Sequence, residues 1–142
     1  MIRGSFDRGR PVVECRLVIP RLSVNHRLLL LVDTGASASC LHPADAIRAG
    51  IPFDELGNRV GYLGIGGAAA YFRESANLLF EDDSHLQIYR LDLLIAAPTA
   101  SNRDLPSLLG RDVLNRWRMD YDPADGRLEC IVRSADHTSD RL

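Results

Sequence analysis

The 142-residue chain has only three cysteines, Cys15, Cys40 and Cys130. They are widely spaced, form no C-x-x-C pair and are odd in number, which argues against a full disulfide framework and leaves reduced, mostly buried thiols as the expectation. His26, His42, His85 and His137 show no ligand spacing with each other or with cysteine, so no metal site and no cofactor is expected. An excess of one charge is also missing. With 17 basic and 19 acidic residues the net charge is −2, which is no footprint for nucleic acid or an anionic membrane. No apolar stretch approaches the ~20 residues of a membrane span, and residues 1–10 lack the apolar core of a signal peptide. A soluble domain is expected, with a cytoplasmic setting favoured, although a piece cut from a longer precursor would look the same. There is no internal repeat and no low-complexity block, and the length suits one domain that buries about two thirds of its unfolded surface.

What is present is a series of short strands. Pro11–Ile19 is β-branched and bounded by prolines. Leu28–Val32 is a continuous apolar run, expected to be buried, and with the preceding strand it makes a first hairpin. Ser39-Cys40-Leu41 reads as a short extended piece, and residues 42–49 as a short helix with Pro43 near its start and Gly50 placed to end it. Arg59–Ile65 and Ala68–Phe80 read as two strands joined at Gly66-Gly67. His85–Ile95 alternates as a half-buried strand, and 96–106 reads as a loop. Leu108-Leu109 resumes a strand, 111–116 is a helix, and 119–122 and 127–132 are strands joined by a turn at Pro123–Gly126. The pattern predicts an all-β domain of the closed, barrel-like kind with two short helices over 11–132, between a flexible start at 1–10 and a flexible tail at 133–142.

Three stretches carry chemistry. Asp33-Thr34-Gly35-Ala36 follows the apolar run directly, so a carboxylate leaves low-dielectric surroundings into a tight turn. Gly64-Ile65-Gly66-Gly67 lies between two strands, and Leu108-Leu109-Gly110-Arg111-Asp112 runs from a strand into a helix. In this order the three resemble the single-lobed, retropepsin-like aspartic proteases, and the resemblance spans roughly 12–121. The first and third stretches are the specific ones.

The resemblance implies an aspartic endopeptidase that works as a homodimer. One carboxylate cannot both activate a water and protonate a carbonyl, and two brought about 3 Å apart share one proton and titrate as a unit. A chain with one Asp-Thr-Gly would therefore supply Asp33 to a dyad across a twofold axis. The ionised carboxyl would take a proton from the attacking water while its partner donates to the developing oxyanion. By the same resemblance Thr34 would bond across the dyad, Gly35 would leave room for substrate backbone, and Gly110 would let its strand pass close behind the loop. Gly64, Ile65, Gly66 and Gly67 would form a flap over an extended peptide substrate. Leu31, Ile65, Ile95 and Leu108 are candidate pocket walls.

The chain departs from the family pattern at two places. Retroviral relatives usually carry an acid where this chain has Ser37, so Arg111 lacks that partner; Asp112, the neighbourhood of Asp33 and a carboxylate of the other subunit are the alternatives. Retroviral chains also end near the helix, whereas this one continues through a hairpin to Val132. Ala36 stands where two-lobed relatives often have a hydroxyl, so activity is expected at less acidic pH than in those relatives.

Two other readings compete. A retropepsin-like module without catalysis would serve dimerisation or peptide binding. Gly64-Ile65-Gly66-Gly67-Ala68-Ala69 also fits G-x-G-x-x-A, the phosphate turn of a dinucleotide-binding unit, with Asp82 and Asp83 downstream. That turn requires a strand before it and a helix after it.

Overall fold

A computed structural model describes residues 1–64 and 67–141. In chain order the elements are β1 (Ile2–Arg3), β2 (Ser5–Asp7), β3 (Arg10–Ile19), β4 (Val24–Val32), β5 (Cys40–Leu41), α1 (Pro43–Arg48), β6 (Arg59–Gly64), β7 (Gly67–Asp82), β8 (His85–Ala96), β9 (Leu108–Leu109), α2 (Arg111–Leu114), β10 (Trp117–Asp122), β11 (Arg127–Val132) and β12 (His137–Asp140). The molecule is thus mostly β with two short helices, as the strand pattern predicts.

The larger sheet runs β12-β8-β5-β9-β4-β3-β7-β6, and β7 also pairs with β8, so the path of pairing returns to an earlier strand. The smaller sheet is β1-β11-β10. Alternation sets the core: Val13, Cys15, Leu17 and Ile19 of β3 face inward with Leu28, Leu30 and Val32 of β4 and with Ala76, Leu78 and Phe80 of β7. Burying each of the larger side chains contributes roughly 1.5–3 kcal/mol.

The apolar run of β4 is not buried throughout. Leu29 is 47% exposed and Leu31 half-buried, because a strand turns alternate residues to opposite faces and only one face of β4 meets the core. The strand in β8 departs differently: Gln87 and Tyr89 share the buried face, since the apolar pattern changes phase between Ile88 and Tyr89. Gln87 is tolerated there because its amide donates to Asp82 and accepts from Thr138.

Both ends of the chain differ from the expected loose segments. Ile2 and Arg3 pair with Cys130 and Glu129, and Ser5–Asp7 forms a hairpin with Arg10–Val12 through Arg8 and Gly9, both at positive φ. At the other end β12 pairs with β8, His137 opposite Ile88 and Asp140 opposite His85. Its approach is fixed by Arg116, which binds Asp136, and by the Tyr89 hydroxyl, which donates to the Ser134 carbonyl.

Of the segment matching G-x-G-x-x-A, the described residues belong to the paired strands β6 and β7, with Leu63 opposite Ala68 and Tyr62 opposite Ala69, and β7 runs for 16 residues where a dinucleotide unit needs a helix. Asp82 and Asp83 stand at the next turn, opposite and beside His85. The dinucleotide reading is overturned by this geometry. No helix of the described residues is long and apolar enough to cross a membrane.

Candidate active site

The Asp33 loop is set by two strands that run side by side in the same direction, Leu31 with Leu108 and Val32 with Leu109. The Leu31 amide donates to the Ser107 carbonyl at 2.9 Å and the Asp33 amide to the Leu109 carbonyl at 3.0 Å, which carries the pairing up to the aspartate. Beyond it the chain turns: the Ala36 amide donates to the Asp33 carbonyl, and the Gly35 amide donates to Asp33 Oδ1 at 2.9 Å. A short carboxylate binding the backbone two residues on is what makes aspartate a turn former. Here it leaves the carboxyl half-buried, with Thr34 and Gly35 exposed beside it.

Behind this loop passes the Gly110 segment. A Cβ built on Gly110 would lie 2.6 Å from the Ala38 carbonyl carbon and 3.0 Å from the Ala36 oxygen. Both are backbone atoms that cannot swing aside, so only glycine fits. Hydrogen bonds stitch the contact together. The Arg111 amide donates to the Ala36 carbonyl at 2.8 Å, and Arg111 Nη1 to the Thr34 carbonyl at 2.9 Å. The Ser39 amide donates to Asp112 Oδ2 at 2.9 Å, and Ser39 Oγ donates to Asp112 Oδ1 at 2.7 Å. Ser39 Oγ also accepts the Gly110 amide at 3.0 Å, so this fully buried hydroxyl has both roles filled.

Within the chain, Arg111 meets the neighbourhood of Asp33 rather than Asp112: the exposed guanidinium holds the Thr34 carbonyl, while Asp112 is engaged by Ser39. The sequence does not single out Ser39 or Asp112 for this bracing role. Their signal is that each is a short polar residue flanking an apolar strand, where burial demands a partner.

A further polar set braces the loop from below. Ser107 Oγ donates to Asp45 of α1 at 2.6 Å and accepts the His42 amide at 2.9 Å. His42 Nδ1 lies 2.6 Å from the Pro106 carbonyl; a carbonyl only accepts, so the proton sits on Nδ1. Its Nε2 faces Cys40 Sγ at 3.8 Å, and burial pushes the Cys40 thiol up to about 12, which keeps it a thiol rather than a nucleophile.

Leu31, Leu108, Cys40 and Leu94 are successive cross-strand partners and therefore share one face. Leu31 and Leu108 are half-buried there, open enough to border a site. Ile95 has no exposure and belongs to the core, because it stands on the opposite face of β8 from Leu94. Gly64 and Gly67 are opposite one another at the end of the β6–β7 hairpin, and Ile65 and Gly66 lie outside the described residues. The base of that hairpin is tied to β8, the Ala97 amide donating to the Ala70 carbonyl at 3.0 Å.

A groove of about 710 Å³ lies elsewhere, bordered by Arg3, Arg27, Glu81 and Arg141. Most of its charges are already paired, Arg27 with Glu14 at 3.0 Å, Arg3 with Asp83 at 2.8 Å and Arg141 with Glu81 at 2.9 Å. At Asp33, by contrast, a half-buried carboxyl is held by backbone. Among the described residues no group of three or more His, Cys, Asp or Glu could hold a metal ion.

No protein-family model matches the chain, and no curated protein matches it. Solved structures do. A retropepsin-like aspartic protease from Rickettsia conorii is similar with a TM-score of 0.59 at 20% identity, over 92% of this chain and 97% of that one. The EIAV protease complexed with the inhibitor HBY-793 aligns with a TM-score of 0.45 at 24% identity, over 75% of this chain and 86% of that one. With the Rickettsia likeness running nearly end to end over both chains, the sheet order, the Asp33 loop and the Gly110 strand behind it make up a retropepsin-like fold.

Proposed function

We propose that the chain is an aspartic endopeptidase whose active form brings Asp33 of two copies together. The observation that carries this is the Asp33-Thr34-Gly35 turn: a half-exposed carboxyl, oriented by the Gly35 amide and immobilised from behind by Gly110 and Arg111. An ordinary surface turn needs no such bracing. Positioning to within fractions of an ångström is what acid–base work on a water requires.

In the proposed reaction one Asp33 carboxylate takes a proton from water as the water adds to the scissile carbonyl, and the protonated partner donates to the carbonyl oxygen. The tetrahedral diol then collapses as a proton passes to the leaving amine, and the two carboxyls return to one shared proton. Substrate is an extended peptide with apolar side chains against Leu31 and Leu108, covered by the β6–β7 hairpin as a flap. The returning path of strand pairing supports a closed, barrel-like lobe as the frame. With Ala36 supplying no hydroxyl, activity should extend to less acidic pH than in relatives that have one.

The test is cleavage of a peptide library by the native chain and by Asp33→Asn. Loss of cleavage by about 10³-fold or more, with the melting temperature unchanged, is expected, since the removed group is both acid and base. Inhibition by a statine-type mimic should accompany it. Cleavage surviving in Asp33→Asn, or a pH–rate maximum at roughly pH 3, counts against the reading as stated. Native protein that never cleaves but pairs and binds peptides would support the silent-module alternative.

A further inference from the structure

We infer that the groove walled by Arg16 and Arg27 holds an acidic segment of the substrate chain, bound at a distance from the bond being cut. This rests on the proposed Asp33 chemistry and adds which peptides that site favours.

The groove has a volume of about 710 Å³, within the size range of ligand sites, and Leu79 and Leu86, both half-buried, are among its lining residues. Its rim is a set of closed ion pairs. Arg27 meets Glu14, Arg141 meets Glu81, and Asp83 takes both Arg3 and the Met1 ammonium. Asp140 lies beside His85. Arg16 is the exception. It is half-buried, and among the described residues its guanidinium meets only a neutral group, Asn25 Oδ1 at 2.7 Å.

The strand register adds a second reason for an anion here. Arg16 stands directly opposite Arg27 on β4 and opposite Leu79 on β7. Like charges facing each other across a ladder are unfavourable, and the one carboxylate of Glu14 cannot cancel two guanidinium groups. A guanidinium carries five donors, of which Arg16 spends one, so an acid lying between the two arginines gains charge-assisted bonds while an apolar neighbour packs on Leu79 and Leu86. Charge and shape together call for an extended peptide in which carboxylates are interleaved with apolar residues.

A single strand joins this groove to Asp33. Arg27, Leu29 and Leu31 alternate along β4 and share a face, and Asp33 is the next position in that alternation. Leu29, 47% exposed between the two sites, serves no core contact on this face and gives a passing peptide an apolar surface. The path from Arg27 to Asp33 is about 20 Å along the strand, so a substrate needs at least about six extended residues to cover it. An acid much closer than that to the cut does not reach Arg16.

Steady-state cleavage of three labelled peptides with one shared apolar core reads this directly. The first carries Glu-Leu-Glu about eight residues from the cut, the second Gln-Leu-Gln there, and the third Glu-Leu-Glu about three residues from the cut. At low salt the distant acids should lower KM by about three- to tenfold relative to glutamine with kcat unchanged, and the near acids should not. That ratio should shrink with added salt and in Arg16→Gln, vanish in the double variant Arg16→Gln/Arg27→Gln, and persist in Arg118→Gln on the smaller sheet. Glu14→Gln frees Arg27 and should enlarge it, a gain that a misfolded chain cannot mimic. Equal KM for the glutamate and glutamine peptides, a preference equally strong for the near acids, or one that survives the double variant would each overturn the inference while leaving the catalytic reading in place. Fluorescence anisotropy of the same peptides on the Asp33→Asn chain separates the two claims. Acid-dependent binding there, when the native chain cleaves nothing, keeps the groove and rejects catalysis; binding indifferent to the acids rejects the groove.

Discussion

Two neighbouring regions of the chain hold together by opposite means. At Gly110–Asp112 the contacts are short polar ones: backbone amides, a serine hydroxyl and a carboxylate, with Thr34 and Gly35 exposed beside them. At Trp117 the contacts are large and apolar. Its ring meets Phe80 edge-on at 4.9 Å and Tyr89 at 6.1 Å, and its indole N–H donates to the Tyr89 hydroxyl at 2.7 Å. Helix α2 joins the two, with Val113 and Leu114 buried between them. Polar contacts are directional and fix a carboxyl at the surface, whereas ring packing supplies energy without fixing any exposed atom. The site is therefore placed by the first region and held in a folded chain by the second.

That division can be broken from the apolar side first. Trp117→Ala should cost about 3–5 kcal/mol, the range for truncating a buried aromatic. Denaturant titration should show a large fall in midpoint, while the fraction still folded cleaves peptide at the native rate. If activity per folded molecule falls as steeply as stability, the two regions are not separable. Gly110→Ala attacks the other side. Its methyl group would meet backbone at 2.6 Å, so the Asp33 loop must move, at about 1–3 kcal/mol of overpacking strain. Displacement approaching 1 Å is expected to lower kcat/KM by about 10²-fold. Native kinetics in Gly110→Ala would show that the loop tolerates what its geometry forbids.

Legibility in the sequence divides along the same line. The Asp33 turn and the Gly110 strand are local patterns, a strand followed by residues with strong turn chemistry, and sequence order alone brings them to notice. Helix α1 ends at Gly50 as predicted, with the Gly50 amide on the Ile47 carbonyl and φ at +76°. What escapes notice is non-local. Ser39 and Asp112 are 73 positions apart and find each other only once the strands have paired. β12, His-Thr-Ser-Asp, has no apolar alternation, and it is a strand because β8 offers an edge and Arg116 binds Asp136 beside it. The exposure of Leu29 is hidden by a run in which every residue is apolar, so nothing in the run tells which face is open.

A smaller change tests whether the ring cluster also serves the tail. The Tyr89 hydroxyl accepts from Trp117 Nε1 and donates to the Ser134 carbonyl at 2.8 Å. Tyr89→Phe leaves a buried N–H without a partner, costing about 1–3 kcal/mol. Its particular signature would be faster hydrogen exchange across 134–140 than elsewhere, and uniform exchange would place the effect in the core alone.

The smallest expected effect is on the tail as a function of pH. Arg116 and the Arg90 amide hold the Asp136 carboxyl below the ordinary carboxylate range. A group lowered on folding contributes its stability above its unfolded value, near 3.8, and loses it as pH falls through the lower folded value. The pair is surface-exposed, so the contribution is small, and salt should reduce it further. Amides of 137–140 should accordingly exchange faster relative to the β3–β4 hairpin as pH is taken from about 5 towards 2. Asp136→Asn cannot ionise, so it should show looser amides at neutral pH and lose that part of the pH dependence. If the acid-induced loosening survives in Asp136→Asn unchanged, the tail is held by strand pairing alone and the Arg116 contact is incidental to it.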